Sequence, residues 1–217
     1  YKVDLDSLYE DAKKGISDIP LDGFKFDSKI ELVSNNTLKK KLFWIEDLEV
    51  PEVKTYSTAK ILETDENSQL VAITTFHDVK LNDESDQDEF TTFSVGTLPN
   101  SDLDRSASVR AYSTRYVESY TASNISYKGL LQTTGGWTIL DSSVSVSNKL
   151  VSYGTAGYPL STSKNNVSVS GMTFDFVPNP VHPGVNTSYD FEIGVNSTAT
   201  LKRGTSSEWT LFHPNNW

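Results

Sequence analysis

Apolar residues at helical spacing open the chain. Leu5, Leu8 and Ala12 recur at intervals of three and four residues, which places their side chains on one face of a helix. Aspartates stand near the start of this segment and lysines near its end, an order of charges that suits the helix dipole. Pro20 prevents the helix from continuing. The pattern predicts one short N-terminal helix within residues 3–16.

From Phe24 onward the hydrophobic period becomes two, which is typical of strands with one buried face. β-branched and aromatic residues, which favour strands, are frequent in this part. Turn-forming residues separate the segments, among them Gly135-Gly136, Gly154 and Pro178-Asn179-Pro180. The predicted strands cover residues 29–32, 59–62, 69–76, 106–120, 126–133, 137–140, 143–153, 167–176, 189–201 and 208–212.

This succession predicts a mostly β fold: an antiparallel β-sandwich or a jelly-roll-like barrel with one short N-terminal helix. No internal repeat indicates a propeller or a solenoid. The composition changes near residue 100, from an acidic first part to a second part rich in Ser, Thr and Tyr. Because no linker of any length marks this change, we expect one domain over residues 1–217.

The charge of the chain restricts its partners. The formal net charge is -10, and residues 1–100 carry 11 basic against 21 acidic side chains. Such a surface repels phosphate backbones, so we expect no nucleic-acid partner. The basic run Lys39-Lys40-Lys41 is a local exception, which we interpret as a solvated strand entrance. No apolar stretch approaches the roughly 18 residues of a spanning helix, so we expect no stable membrane span.

The cysteine count bears on the compartment. With no cysteine, the chain has no disulfide, no thiolate metal site and no cysteine nucleophile. A start at Tyr1 fits either a mature exported chain or a trimmed one. A secreted animal domain rich in strands would more often carry a disulfide, so we expect a secreted or cell-surface protein of bacterial origin. The oligomeric state stays open.

An acidic stretch at residues 82–89 is the densest cluster of oxygen ligands. Asp83, Glu84, Asp86 and Asp88 are weak candidates for calcium ligands, because Ca²⁺ binds alternating oxygen-bearing side chains on loops. The spacing does not fit an EF-hand. A solvent-exposed acidic loop is the simpler interpretation, and we predict no metal and no cofactor.

Sequence motifs for catalysis are not present. The chain has no G-x-S-x-G nucleophile motif, and His77, His182 and His213 lack the short spacings of a zinc site. We interpret these histidines as surface or hydrogen-bonded structural residues. Two carboxylates on a sandwich could still perform hydrolysis or elimination, and four acids lie on or beside predicted strands: Asp141, Asp175, Asp190 and Glu192.

A tyrosine ladder is the most suggestive feature of the sequence. A period of two between Arg110 and Tyr120 places the tyrosines of this strand on one face. If exposed, the ladder could stack on sugar rings or bind a protein partner; if it faces a second sheet, it is core. On the first interpretation, the predicted binding residues are Tyr112, Tyr116, Tyr120, Trp137, Tyr158 and Trp209.

These features favour a non-catalytic extracellular binding or surface module, with a carbohydrate or cell-surface component as its ligand. Two alternatives stay open. Residues 143–153 alternate serine with valine and approach the roughly 9 to 11 residues of a transmembrane strand, as in a pore-forming toxin. The acidic candidates allow a carboxylate-dependent hydrolase or lyase.

Overall fold

The computed structural model of the protein describes residues 1–33, 50–82, 107–159, 161–179 and 184–217. This part of the chain forms one helix and eleven strands: α1 (Leu5–Lys13), β1 (Lys29–Leu32), β2 (Glu52–Thr64), β3 (Ser68–Lys80), β4 (Val109–Ala122), β5 (Ile125–Ile139), β6 (Val144–Ala156), β7 (Thr162–Ser168), β8 (Thr173–Phe176), β9 (Val185–Asn186), β10 (Glu192–Arg203) and β11 (Glu208–Asn216).

Two antiparallel sheets pack face to face, which confirms the predicted mostly β sandwich. The five-stranded sheet has the order β1-β11-β10-β6-β7. The six-stranded sheet has the order β2-β3-β4-β5-β8, and β9 pairs with β5. Strands from both compositional parts share each sheet, because β1 pairs with β11 and β3 pairs with β4.

The helix α1 covers the outer face of the six-stranded sheet. Asp4 caps its start, because its carboxylate accepts the backbone N–H of Asp6 at 3.1 Å. Its buried face, formed by Leu8, Tyr9 and Ala12, packs against Phe76 of β3. As a result, β3 is buried on both faces.

Buried polar contacts hold the helix α1 against the six-stranded sheet. The Tyr9 hydroxyl donates to Oδ2 of the buried Asp78 at 2.5 Å, and Arg110 donates to both oxygens of the same carboxylate. The Arg110 guanidinium also lies over the Tyr9 ring, 3.6 Å from its centroid. Because Asp78 is only 5% exposed, these charged contacts are poorly screened by solvent.

The prediction of a turn at Gly135-Gly136 is wrong. The strand β5 runs through both glycines, which face Thr173 and Phe174 of β8. A Cβ on Gly135 would lie 2.4 Å from the Phe174 ring, so glycine is needed for the close approach of β8. Gly154 likewise lies inside β6. The predicted strand 167–176 is divided between β7 and β8.

Three groups of residues singled out in the sequence lie outside the described residues. They are Lys39-Lys40-Lys41, the calcium candidates Asp83, Glu84, Asp86 and Asp88, and His182. Within the described ranges, no helix has the length and apolar character needed to cross a bilayer. The strand predicted at 143–153 is β6, which lies between β10 and β7 and contributes Val144 and Val151 to the core.

Candidate binding groove

A polar groove lies on the outer face of the five-stranded sheet, across β7, β6, β10 and β11. It encloses about 120 Å³, enough for several water molecules or much of one sugar ring. Strands rather than loops carry its side chains, so the positions of these side chains are well fixed. Its polar lining includes Ser152, Thr155, Ser163, Asn165, Glu192, Asn196 and Asn216.

Two glycines form the floor of the groove. Gly154 of β6 and Gly194 of β10 are direct cross-strand partners. A Cβ on Gly194 would lie 1.8 Å from Asn216 Oδ1, so a larger residue would displace the Asn216 side chain. That side chain crosses β10 and donates from Nδ2 to Asn196 Oδ1 at 2.6 Å. Gly194 therefore makes room for an ordered pair of amides, whereas Gly154 permits the close approach of β7, since a Cβ there would lie 2.3 Å from the Thr162 carbonyl oxygen.

A β-bulge shapes one wall of the groove. The pairing of β6 with β7 shifts between Val151 and Tyr153, so Asn165 and Asn166 together oppose Ser152. Asn166 has a φ of 53°, in the left-handed region that asparagine tolerates better than most residues. Its backbone N–H donates to Ser152 Oγ at 2.9 Å. Bulges re-aim side chains and are frequent beside binding sites, and this one brings Asn165 to the groove.

An exposed tyrosine pair follows the groove in the chain. Tyr158 comes two residues after Ala156, and Tyr189 precedes Glu192 by three residues. Ala156 and Glu192 are paired across β6 and β10. The two tyrosine rings lie 5.0 Å apart, and 60% and 57% of these side chains are exposed. Exposed aromatic rings of this kind offer an apolar face that can stack on a flat ligand.

The structure places the six predicted binding residues in different environments. Tyr116, Trp137 and Trp209 are buried, at 1%, 2% and 7% exposure, so they offer no face to an external ligand. Tyr112 and Tyr120 are half-buried. Of the six, Tyr158 alone is exposed. The predicted exposed row is therefore corrected: most of these aromatic side chains belong to the packing of the fold.

The tyrosine ladder faces away from the second sheet, contrary to the interpretation of the ladder as inter-sheet core. Tyr112 packs in the cluster beneath α1, and Tyr116 is stacked on Tyr1 with the ring centroids 5.4 Å apart. Tyr120 is stacked on Tyr127 of β5 at 5.2 Å. The N-terminal segment thus covers a face that a two-sheet pattern would leave open.

A wider recess lies at the tips of the β2–β3 and β4–β5 hairpins. It encloses about 560 Å³ and includes Tyr120, Tyr127, Asp65 and Glu66. Strand residues supply most of its lining, as they do in the groove, and the turn residues Asp65, Glu66 and Asn67 supply the rest. We take the groove as the candidate site because it holds an ordered pair of asparagine amides, and we use the recess as its comparison.

The four candidate carboxylates occupy separate surroundings. Asp141 accepts hydrogen bonds from Ser143 and Arg203; the bonds from Ser143, and then Arg203, lower the pKa of Asp141 from 3.8 to about 2. Asp175 accepts from Gln132 Nε2 at 2.7 Å, and Asp190 is exposed. Glu192 is the member of this set that lines the groove. In the described part of the chain, no cluster of three His, Asp or Glu residues could hold a metal ion.

A buried chain of hydrogen bonds links the two sheets. His77 Nε2 lies 2.7 Å from the Phe26 carbonyl oxygen, which can only accept, so this nitrogen carries the proton. The other nitrogen of neutral His77 must then accept from His213 Nδ1 at 2.5 Å. His213 Nε2 accepts in turn from the Ser113 hydroxyl at 2.8 Å. All three side chains are completely buried, so the serine is closed to substrates and the chain is structural.

Arg115 is the second polar group inside the sandwich. It is completely buried, and burial lowers the pKa of its guanidinium to about 9. Nη1 donates to the Ile193 carbonyl, whereas Nε and Nη2 have no hydrogen-bond partner among the described residues. The rings of Phe24 and Trp217 lie 4.9 Å and 5.9 Å from the guanidinium.

Replacing Arg115 with methionine is expected to raise the free energy of unfolding by about 1–2 kcal/mol, because a buried, poorly paired charge costs more than ring contacts return. The Ile193 carbonyl keeps a partner in the Trp217 N–H at 2.9 Å. Urea unfolding measures the change, and Arg115→Ala, which leaves a cavity, should be destabilising. A destabilised Arg115→Met variant would mean that an additional group compensates the guanidinium.

Comparison with known proteins identifies no relative. No protein-family model, no curated protein and no solved structure matches the chain. The function is therefore argued from the groove itself.

Sequence reasoning missed the groove, although the sequence holds a signal for it. Isolated glycines inside strand patterns, here Gly154 and Gly194, indicate a bulge or a close backbone approach. What the sequence does not give is their pairing across β6 and β10, or that Gly194 lies under the amide of Asn216 while Gly154 lies against β7.

Proposed function

We propose that the protein is a non-catalytic binding module that holds carbohydrate in the groove across β6 and β10. The observation that carries the proposal is the glycine-floored groove with its lining of amides, hydroxyls and one carboxylate. Sugar hydroxyls both donate and accept hydrogen bonds, and asparagine amides supply both partners from one side chain. Concave sites with a few convergent polar groups are typical of ligand binding.

The exposed pair Tyr158 and Tyr189 supports a ligand longer than one ring. In the chain these tyrosines lie within three residues of Ala156 and Glu192, which pair with each other and line the groove. Stacking on an exposed tyrosine adds affinity with little loss of side-chain entropy, because tyrosine has only two rotatable side-chain torsions. An oligosaccharide that leaves the groove past Glu192 would meet these rings.

Asn165→Ala and Asn196→Ala are each expected to lower the affinity for an oligosaccharide by about threefold to tenfold. Each variant removes a side-chain amide from the wall, and one hydrogen bond contributes roughly 0.5–1.5 kcal/mol. A glycan array on the purified chain selects the ligand, and isothermal titration calorimetry measures its affinity. Tyr158→Ala should lower the affinity only for ligands that are long enough to extend beyond the groove.

The recess at the hairpin tips provides the matched control. Asn67→Ala and Tyr127→Ala change residues of that recess and should leave the affinity unchanged. If Tyr127→Ala abolishes binding while the groove variants retain it, the recess is the site and the groove is not. A failure of every oligosaccharide to bind at millimolar concentration would refute the proposed function.

A further inference from the structure

The groove carries negative charge and no positive charge among its described lining residues. Among the described residues, Glu192 is the single charged residue of the lining, and the others are neutral. Glu192 is exposed at the start of β10, so its carboxylate is available to a ligand.

The nearby lysines do not neutralise this carboxylate from within the groove. Lys25 is bridged to Asn216 through main-chain hydrogen bonds of 2.9 Å and 3.2 Å, and its side chain is not part of the lining. Lys164 of β7 is not part of the groove lining, but it lines a small neighbouring cavity that shares Tyr153, Gly154 and Ser163 with the groove. Lys149 donates to the Ser170 carbonyl at 3.2 Å. The formal net charge of -10 adds a long-range field of the same sign.

We infer that the groove selects sugars that carry a free amine over neutral sugars and excludes acidic sugars, with Glu192 as the selecting residue. This inference rests on the proposed function and names the ligand class of the same site. An ammonium group beside Glu192 gains a charge-assisted hydrogen bond. A uronic acid would bring a second carboxylate beside the first, where no cation of the lining balances it.

The hydroxyls and amides would hold either kind of sugar ring, and the carboxylate would decide between them. A partly exposed ion pair contributes roughly 0.2–1 kcal/mol, which corresponds to a preference of up to about fivefold. The preference must decrease as salt is added, because the carboxylate is exposed to solvent.

Three oligosaccharides of equal length test the inference by calorimetry at low ionic strength: oligomers of glucosamine, of N-acetylglucosamine and of galacturonic acid. We expect the glucosamine oligomer to bind about threefold to fivefold more tightly than its acetylated form, and the galacturonic acid oligomer not to bind. In the Glu192→Gln variant, the glucosamine and N-acetylglucosamine oligomers should bind with nearly equal affinity, so the ratio of the two affinities should fall to about one. The same ratio in wild type should fall towards one as salt is raised.

Glu31→Gln is the matched control, because it removes an equal charge from an exposed residue of the same sheet. Glu31 pairs with Thr210 of β11, six residues along that strand from Asn216. This variant should keep the wild-type preference, which separates the local carboxylate from the field of the whole protein.

The outcomes separate this inference from the proposed function. If both glucosamine and N-acetylglucosamine oligomers bind with equal affinity in wild type, or if Glu192→Gln keeps the preference, the role of Glu192 is refuted and the binding function stands. If the galacturonic acid oligomer binds as tightly as the others, the charge selection is refuted. If no oligosaccharide binds, the proposed function fails, and this inference fails with it.

Discussion

The free energy of unfolding is expected to fall by about 3 kcal/mol as the pH is lowered from 6.5 to 4, through His77 alone. Burial lowers the pKa of His77 from 6.5 to about 4, against smaller opposing effects of the Phe26 carbonyl, Asp78 and Asp27. Burial, and then the neighbouring His77, also lower the pKa of His213 well below 6.5.

The direction follows from proton binding. Below pH 6.5 the histidines of the unfolded chain take up protons, whereas in the folded chain His77 stays neutral until the pH approaches 4 and the pKa of His213 lies well below 6.5. The unfolded state therefore binds more protons in this window and is favoured as the pH falls. The hydrogen-bond chain opposes protonation, because a proton on His77 Nδ1 would face the donor His213 Nδ1. Above about pH 7.5, where the histidines of the unfolded chain are also neutral, this pair contributes almost no pH dependence.

Urea unfolding between pH 4 and 8 measures this loss. Asp141 does not obscure it, since the pKa of Asp141 is lowered from 3.8 to about 2 and its stabilising effect is lost only below that window. The double variant His77→Gln/His213→Gln should be less stable at pH 7, yet its stability should change much less between pH 6.5 and 4. A double variant with the wild-type slope would show that other groups cause the acid sensitivity.

The histidine pair illustrates what the sequence could not predict. His77 and His213 are 136 residues apart, and only the packing of β3 against β11 places their rings in contact. The sequence predicts that each is a surface or a hydrogen-bonded structural residue, since neither has the spacing of a metal ligand, and burial excludes the first alternative. The two rings are buried together because the two sheets pack face to face and the Phe26 carbonyl accepts a hydrogen bond from His77. No local sequence pattern predicts these contacts.

Local sequence patterns predicted the helix and the strands well because these elements depend on neighbouring residues. The same patterns failed at the groove because the groove depends on residues that are far apart in the sequence. The period of two predicted β1 at residues 29–32, and helical spacing predicted a helix within residues 3–16, where α1 forms. Both depend on neighbours within a few residues. The groove depends instead on the pairing of Gly154 with Gly194 and on Asn216 beside Gly194. In the sequence, glycine at 135 or 154 reads as a turn, whereas in the fold each permits a close approach between strands.

The tyrosine ladder shows that strand periodicity does not reveal which face is covered. Alternation placed the ladder tyrosines on one side of β4, and the register of β4 with β3 agrees with that assignment. Their burial comes from residues far away in sequence, with Tyr1 stacked on Tyr116 and α1 packed beside Tyr112. The N-terminal segment and its short helix thus bury a face that was expected to bind a ligand, and the buried side chains form a second, smaller core.

Tyr116→Ala is expected to lower the free energy of unfolding by about 3 kcal/mol, which is roughly 6–12 °C in the unfolding temperature of a chain of this size. The ring packs with Leu70 and Ala72 and is stacked on Tyr1, so its removal leaves a cavity beneath the N-terminal segment. Tyr158→Ala makes the same chemical change at a side chain that is 60% exposed, and it should alter stability by less than about 0.5 kcal/mol.

The contrast between these two variants decides where a ligand can bind. Calorimetric unfolding gives the stabilities, and the oligosaccharide affinity of each variant is measured well below its unfolding temperature. With the ladder covered, Tyr116→Ala should be strongly destabilised and yet bind oligosaccharide as wild type does, because its ring lies on the opposite sheet from the groove. If instead Tyr116→Ala is as stable as Tyr158→Ala and loses binding, the N-terminal segment leaves the ladder open in solution. The ladder, rather than the groove, would then be the ligand surface.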